Sequence, residues 1–285
     1  MGRLATKTKW LQEALWGYLG HAPESDSLLH APADHPMHVM LQNVTMRFGQ
    51  RPVFENLSCG FPRGKISVIL GGSGVGKSTV LRLIGGLIRP QAGKVVVDGR
   101  DVTQLSEWGI LDVRRKLGML FQGGALLDSY CVYENLALPL REHTKLSEPE
   151  IAKAVKDSLV SVGVDDALEL LPGQLSGGML RRVALARAIL RKPVILLCDE
   201  PFSGLDPVSI KRIERLLVSI NQQYGLTLIV VSHHVPSTMR MADHVLLMLG
   251  DRAVEGSPTA LRDSHDAEVA EFMNEGLDLG TKPGA

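Results

Sequence analysis

A glycine-rich segment between an apolar run and a helical pattern constrains the fold more than any other feature of this sequence. Gly71 to Ser78 reads Gly-Gly-Ser-Gly-Val-Gly-Lys-Ser and fits the pattern G-x-x-x-x-G-K-[ST]. It follows the apolar run Ile66–Leu70 and precedes a helical pattern over Lys77–Leu87. A strand, a tight loop and a helix in this order predict an α/β fold with an anion held at the helix N-terminus.

The residue types of this loop are those that bind a nucleoside triphosphate. Glycines let the backbone bend sharply and approach phosphates without a Cβ clash. The loop N–H groups and the helix N-terminus form a positive nest, Lys77 is placed to reach the β- and γ-phosphates, and the Ser78 hydroxyl is placed to bind Mg²⁺. The nucleotide-binding candidates are Gly71, Gly72, Ser73, Gly74, Val75, Gly76, Lys77, Ser78 and the following Thr79, whose position is more typical of a helix residue.

Two carboxylates directly follow a second apolar run. Asp199 and Glu200 come after Val194–Cys198. Ligands of parallel sheets bind beyond the carboxyl ends of the strands, so packing explains these acidic residues poorly. We expect Asp199 to hold Mg²⁺, directly or through water, and Glu200 to accept a proton from an attacking water. An acidic turn is the alternative, and the glycine-rich loop weakens it.

Strand and helix patterns alternate from His38 onward, which predicts a mostly parallel sheet. Residues 123–187 are mostly helical in pattern, and we interpret them as an insert between two halves of that sheet. The predicted strands are Val39–Phe48, Val53–Phe61, Ile66–Leu70, Val95–Val97, Leu117–Phe121, Val194–Cys198, Thr227–Val231 and His244–Leu249.

The two ends of the chain are predicted to be separate from the domain at 38–262. Residues 1–37 contain one short amphipathic helix, around Trp10–Leu19, followed by a proline-containing linker. That helix either packs on its own domain, which we favour because few cations lie near it, or contacts a membrane surface or a partner. Residues 263–285 are predicted to hold a helix over Ala267–Asn274, closed by Gly276, and a tail.

Composition excludes several classes of protein. Lys and Arg total 31, Asp and Glu total 31, and 45% of residues are hydrophobic, so the chain is neither largely disordered nor a strongly basic nucleic-acid reader. The 3 cysteines form no disulfide framework and indicate a reducing compartment. The apolar runs are far shorter than the roughly 20 residues that a membrane span needs.

A second helix start is suited to anions. Ser176 is a good N-cap, and Gly177 and Gly178 leave the following helix N-terminus open. Alone, this pattern is most simply a capped helix. In combination, Leu175-Ser176-Gly177-Gly178 after the glycine-rich loop and before Asp199-Glu200 resembles the signature of ABC (ATP-binding cassette) ATPases, over roughly His38 to Met273.

This resemblance implies a P-loop NTPase (RecA-like) fold with an antiparallel β edge and a helical subdomain. It also implies roles for further residues. Phe48 matches the aromatic residue that stacks on adenine, although a core aromatic is the alternative, and Gln122 matches the glutamine that touches Mg²⁺ and the attacking water. His233 matches the histidine that contacts the γ-phosphate, and Asp206 lies in the loop that communicates across a dimer. His234, where the family usually has an acidic residue, is not expected to function.

The resemblance further implies a homodimer, in which each ATP lies between Lys77 of one chain and Ser176, Gly177 and Gly178 of the other. Several stretches, including Pro139–Thr144 and Asp199–Phe202, are similar to ATPase subunits of Mla/MCE-type phospholipid transporters of Gram-negative bacteria. Such a subunit would lie on the cytoplasmic face of the inner membrane. Its implied partners are an MlaE-like permease, an MCE-domain lipid-binding subunit and often a STAS-domain subunit, with no nucleic acid.

Three features depart from that family pattern, and two other functions stay open. Met179 stands where many members have Gln, the N-terminal 37 residues look longer than usual, and the tail after Met273 looks shorter. One alternative is the ATPase of an importer for a polar solute such as an amino acid, with the same catalytic residues. The other is a soluble ABC ATPase acting on DNA or ribosomes, which the lack of a heptad run or charge block disfavours.

Overall fold

The computed structural model of the protein describes residues 37–250 and 252–278, and within these the side chains of 275–278 are left out. The helix predicted near Trp10–Leu19 lies outside the described residues. The chain divides into two compact units, one of residues 37–122 and 193–278 and the other of residues 123–192.

The strands and helices alternate along the chain. The strands are β1 (Met37–Phe48), β2 (Arg51–Pro62), β3 (Ile66–Gly71), β4 (Ala92–Val97), β5 (Arg100–Asp101), β6 (Leu117–Leu120), β7 (Ile195–Asp199), β8 (Thr227–Val231), β9 (His244–Leu249) and β10 (Arg252–Gly256). The helices are α1 (Lys77–Ile84), α2 (Glu107–Arg115), α3 (Val132–His143), α4 (Glu148–Val162), α5 (Gly177–Ile189), α6 (Pro207–Tyr224), α7 (Val235–Met241), α8 (Pro258–Arg262) and α9 (Ala267–Asp278).

A six-stranded sheet positions most of the candidate site residues. Its strand order is β10-β9-β3-β8-β7-β6, and every neighbouring pair is parallel except β10 with β9. Every residue of β3, β7 and β8 is buried, as expected for strands covered on both faces. Because β3, β8 and β7 are parallel neighbours, the residues that follow them emerge at one edge of the sheet.

A second sheet is antiparallel and has the strand order β2-β1-β4-β5. A tight hairpin joins β1 to β2, with Phe48 paired to Arg51 across the turn. The α/β fold with a mostly parallel sheet is therefore confirmed, but its antiparallel part is larger than predicted. It forms a sheet of its own, and β10 adds an antiparallel edge to the six-stranded sheet.

Both predicted helix ends that the structure tests are wrong. The helix after the glycine-rich loop was predicted to reach Leu87 but ends at Ile84, because Gly85 caps it and Gly86 takes a φ of 61° that glycine readily adopts. The helix predicted over Ala267–Asn274 continues through Gly276 to Asp278, so that glycine does not end it. Gly85 and Gly86 therefore end the first helix, whereas the second helix continues past Gly276.

The unit of residues 123–192 is helical and contains the second glycine-led helix. Ser147 and Glu150 form a capping box at the start of α4, and the Ser158 hydroxyl donates to the Ala186 carbonyl 3.2 Å away, which ties α4 to α5. Its division from the rest of the chain lies at Gly123 and Lys192. No helix in the described parts of the chain is long and apolar enough to cross a membrane.

Candidate active site

The glycine-rich loop joins β3 to α1 and leaves the start of that helix open. Gly76 is the N-cap residue, with a φ of 100° and no side-chain cap. The Lys77 ammonium donates to the carbonyls of Gly71 and Gly72 at 2.8 and 2.7 Å, so it lies folded over the loop. The free backbone N–H groups and this cation create a positive concavity suited to phosphate oxygens.

Two glycines of the loop are required by close neighbours. A Cβ at Gly71 would lie 2.5 Å from the Met248 carbonyl oxygen, and one at Gly76 would lie 2.6 Å from Cγ1 of Val53. Both residues also have positive φ, at 149° and 100°. A side chain at Gly71 would push against the backbone of β9, and one at Gly76 would displace the Val53 side chain.

Lys77 is buried, and its surroundings shift the pKa of its ammonium group. Burial lowers the pKa of the ammonium from its ordinary value, while the carboxylates of Glu200 and Asp199 act in the opposite direction. Asp199 is the last residue of β7 and Glu200 follows it, at the same sheet edge as the loop. The lysine therefore lies in a site with opposing charges already near it.

Ser78 and Asp199 form a pair of oxygen donors. The Ser78 hydroxyl donates to Oδ1 of Asp199 at 2.8 Å, and Asp199 is 7% exposed at the end of β7. A hydroxyl and a carboxylate together are hard oxygen ligands of the kind Mg²⁺ takes, usually beside water and substrate phosphates. No group of three His, Cys, Asp or Glu residues in the described parts of the chain is arranged to hold a metal. The Ser78 hydroxyl and the Asp199 carboxylate leave most of the Mg²⁺ coordination positions to water and phosphate oxygens, so they fit a cation shared with a phosphate ligand.

Glu200 is held in an unusual backbone conformation. Its φ is 48°, in the left-handed region, and its N–H donates to the Val231 carbonyl of the neighbouring strand at 3.0 Å. Its Oε2 lies 3.0 Å from Nδ1 of His233, whose side chain is 65% exposed. Strained non-glycine residues cluster at functional sites because the surroundings must hold them in place.

Lys77, Ser78 and Glu200 line one open cleft of about 480 Å³ in the α/β unit. Asp199 and His233 are not part of its lining but contact Ser78 and Glu200, which are. It also contains the predicted adenine-stacking residue Phe48, which is 50% exposed, and Gln122. The full lining is Phe48, Arg51, Pro52, Val53, Ser73, Gly74, Gly76, Lys77, Ser78, Thr79, Gln122 and Glu200. Arg51 belongs to none of the motifs found in the sequence.

The other predicted site residues lie outside this lining. Those in the same α/β unit are Gly71, Gly72, Val75, Asp199, Asp206 and His233. Ser176, Gly177 and Gly178 belong to the helical unit, where the Ser176 hydroxyl caps α5 by accepting from the Met179 N–H at 3.3 Å. Asp206 caps α6 by accepting from the N–H groups of Val208 and Ser209.

His234 has a structural role at the start of α7. Its Nδ1 accepts from the Ser237 N–H at 3.1 Å, and the Ser237 hydroxyl donates to Glu214. Burial lowers the pKa of His234. This histidine therefore caps a helix, while His233 points to Glu200.

Comparison with known proteins identifies the family. The sequence model described as ABC transporter matches residues 54–203. The intermembrane phospholipid transport system ATP-binding protein MlaF of Escherichia coli K12 is 42% identical over 83% of this chain and 88% of its own length. The probable ribonucleotide transport ATP-binding protein mkl of Mycobacterium tuberculosis is 38% identical over 84% of this chain and 67% of its own.

A solved structure supports the same family assignment. The dimeric ATP-binding cassette MJ0796, in a post-hydrolysis state bound to ADP and Pi, is 31% identical and superimposes with a TM-score of 0.71. The match covers 77% of this chain and 98% of that one. This chain belongs to the ABC transporter family and is an ATP-binding, ATP-hydrolysing protein of the ABC type.

Proposed function

We propose that the chain is the ATPase subunit of an inner-membrane transporter that moves phospholipid between the inner and outer membranes and so maintains outer-membrane lipid asymmetry. The 42% identity to MlaF over most of both chains carries this proposal. The α/β unit supports the hydrolytic half of it, because it holds the phosphate-binding residues of the cleft together with the Ser78–Asp199 and Glu200–His233 pairs.

Hydrolysis is assigned to residues of the cleft. Lys77 leaves the loop carbonyls and binds the β- and γ-phosphates, a change that exchanges two neutral acceptors for charged ones. Ser78, Asp199 and Gln122 would hold Mg²⁺, which neutralises phosphate charge when bound. Glu200 accepts the proton of the attacking water, and His233 holds the Glu200 carboxylate on one side while it contacts the γ-phosphate.

The complete site is proposed to need a second copy of the chain. The N-terminus of α5, with Ser176, Gly177 and Gly178, would cover the nucleotide bound at Lys77 of the partner. Asp206 would lie in the loop that communicates between the two sites. The dimeric state of the related cassette MJ0796 supports this arrangement. Contacts to the γ-phosphate close the dimer, and hydrolysis removes them and lets it open.

The proposed partners lie at the membrane. They are an MlaE-like permease that crosses the inner membrane, an MCE-domain subunit that binds lipid and a STAS-domain subunit, with no nucleic acid. The ATPase would bind peripherally at the cytoplasmic face. The 22% content of charged residues, balanced in sign, fits a protein partner better than a nucleic acid.

A second candidate is the ATPase of an importer for a polar solute. The relative mkl, whose name specifies ribonucleotide transport, is 38% identical over 84% of this chain, which favours this alternative. The residues of the cleft would do the same chemistry in both cases. Only the transported molecule and the permease distinguish them.

Purification of the assembled transporter decides between the two. The chain is tagged, expressed with its neighbouring genes in a Gram-negative host and purified from membranes, and the molecules bound to the complex are identified by mass spectrometry. We expect phospholipid, together with ATP-dependent transfer of labelled phospholipid between vesicles that the Glu200→Gln complex does not support. A complex that binds no lipid and whose ATPase rate responds to a polar solute would refute the lipid proposal.

A further inference from the structure

Arg51 lies in the cleft without belonging to any recognised motif. It is the first residue of β2 and pairs with Phe48 across the hairpin turn. Its side chain lines the same cleft as Phe48, Ser73 and Lys77. A cation in this lining can contact a ligand that extends from Phe48 to the glycine-rich loop.

The strand places Arg51 at a defined distance from that loop. Val53, two residues further along β2, is so close to the loop that a Cβ at Gly76 would meet its Cγ1 at 2.6 Å. Side chains two residues apart share one face of a strand and are separated by about 6.5 Å. Arg51 therefore lies one such step from Gly76, on the side toward Phe48.

The charge of Arg51 is available for a ligand. Within the part of the chain that the structure describes, its exposed guanidinium makes no hydrogen bond or ion pair. By contrast, the nearby Arg47 pairs with Glu55. Lys77 is the other cation of the cleft, and it is bound to loop carbonyls. Of the two cations that line the cleft, Arg51 is therefore the one without a protein partner among the described residues.

We propose that Arg51 binds the α-phosphate of the nucleotide. The inference rests on the cleft being the ATP site, as proposed above. The open end of α1 and Lys77 serve the β- and γ-phosphates, whereas no motif residue serves the α-phosphate from the side of β2. A guanidinium fork matches two phosphate oxygens, and an arginine without a protein partner loses no existing ion pair when it binds them.

Titration of the full-length chain with Mg–ATP and Mg–ADP tests this. We expect Arg51→Ala to weaken both nucleotides by the same factor, about 10-fold, because both carry the α-phosphate. Arg51→Lys should recover part of the loss, since it keeps the charge and loses the fork. Arg47→Ala, which removes an equal charge four residues away that Glu55 already neutralises, should change either affinity by less than about twofold.

Three results would overturn the assignment. These are an unchanged affinity in Arg51→Ala, a loss for ATP without one for ADP, and an equal loss in Arg47→Ala, which would show a diffuse charge effect. Lys77→Ala, expected to lose nearly all ATP binding, separates this question from the site itself. If Lys77→Ala binds ATP normally, the cleft is not the ATP site, and both proposals fail. If only the Arg51 variants bind normally, the cleft stands and the role of Arg51 fails.

Discussion

Two helices of this molecule have glycine at their start, yet their N-termini differ: α1 follows Gly76, whereas α5 begins with Gly177 and Gly178. At α1 the N-cap is Gly76, and no side chain satisfies the first N–H groups. At α5 the N-cap is Ser176, whose hydroxyl already accepts from the Met179 N–H at 3.3 Å. Glycine at the first position supplies only conformational freedom, whereas serine supplies a stabilising hydrogen bond as well.

The two helix N-termini also differ in the side chains that surround them. The α1 end has acid–base and cation-binding groups from the neighbouring strands beside it, since Ser78 contacts Asp199 and Glu200 contacts His233. The α5 end has glycine backbone and one hydroxyl. We infer that the first end can carry the chemistry of its own chain, and that the second can only complete a site whose other groups come from elsewhere.

The strongest test of the α1 end removes its proposed base. Glu200→Gln should lower the ATP turnover of the assembled transporter by at least about 100-fold, because general-base catalysis contributes a factor of that order. Glutamine keeps the size and the backbone requirement at the φ of 48°, so ATP binding should persist. Turnover and equilibrium ATP binding are measured on the same preparation.

Glu55→Gln is the matched control for that variant, since it also neutralises one carboxylate, but at a surface pair with Arg47. It should retain turnover within about twofold. Normal turnover in Glu200→Gln would remove Glu200 as the base and would leave the α1 end with binding groups alone.

Mixing two inactive variants tests whether the α5 end acts on another chain. Ser176→Arg blocks the open helix end with a bulky cation, and Lys77→Ala removes the phosphate contact. In a mixed dimer of these variants, a shared site predicts one intact site per dimer. Both are made in the Glu200→Gln background so that bound ATP is retained, and nucleotide is counted after rapid desalting.

We expect each variant alone to retain almost no nucleotide and the mixture to regain a fraction set by the share of mixed dimers. A mixture that retains no more than its parts would show that each chain builds its site alone. The comparison between the two helix ends would then lose its functional meaning, although their geometric difference would remain.

The sequence motifs correctly predicted which residues lie at the carboxyl edge of the six-stranded sheet, because each motif is a short continuous stretch of sequence. The glycine-rich loop follows one fully buried strand, Asp199 ends another and Glu200 follows it, and parallel pairing brings those strand ends together. Helix α2 was not predicted, since Trp108 is 81% and Leu111 41% exposed while Ile110 and Val113 are buried. Apolar side chains on both faces obscure the helical period on which such a prediction depends.

Other features depend on contacts between distant parts of the chain. The separate antiparallel sheet requires β1 to pair with β4, which begins more than forty residues later. Arg51 has no motif, and its place in the cleft follows from the pairing of β1 with β2 and the contact of Val53 with the loop. No short sequence pattern therefore predicts the antiparallel sheet or the position of Arg51.

Paired alanine substitutions sharpen the account of the glycines before α1. Gly76→Ala should lower the free energy of unfolding by about 2–4 kcal/mol, because its Cβ meets Val53 at 2.6 Å and its φ of 100° strains an L-residue. Gly74→Ala has a φ of 82° but no atom within 4 Å of the new Cβ, so about 1–2 kcal/mol is expected from backbone strain.

Denaturant unfolding of both variants provides the measurement. Equal losses would show that the contact with Val53 relaxes, so that backbone conformation alone requires glycine at both positions. A larger loss in Gly74→Ala would contradict the geometry of the loop.

The smallest expected effect concerns the hydroxyl that distinguishes α5 from α1. Ser176→Ala removes the cap on the Met179 N–H and should lower the free energy of unfolding by about 1 kcal/mol. Met179→Gln is the control, because it keeps the cap and restores the residue that many related cassettes carry, and it should be nearly neutral. Thermal unfolding of both variants without nucleotide measures the capping contribution. If Ser176→Ala is neutral while nucleotide retention falls, the hydroxyl serves the ligand and not the helix, and the two helix ends resemble each other more than their caps suggest.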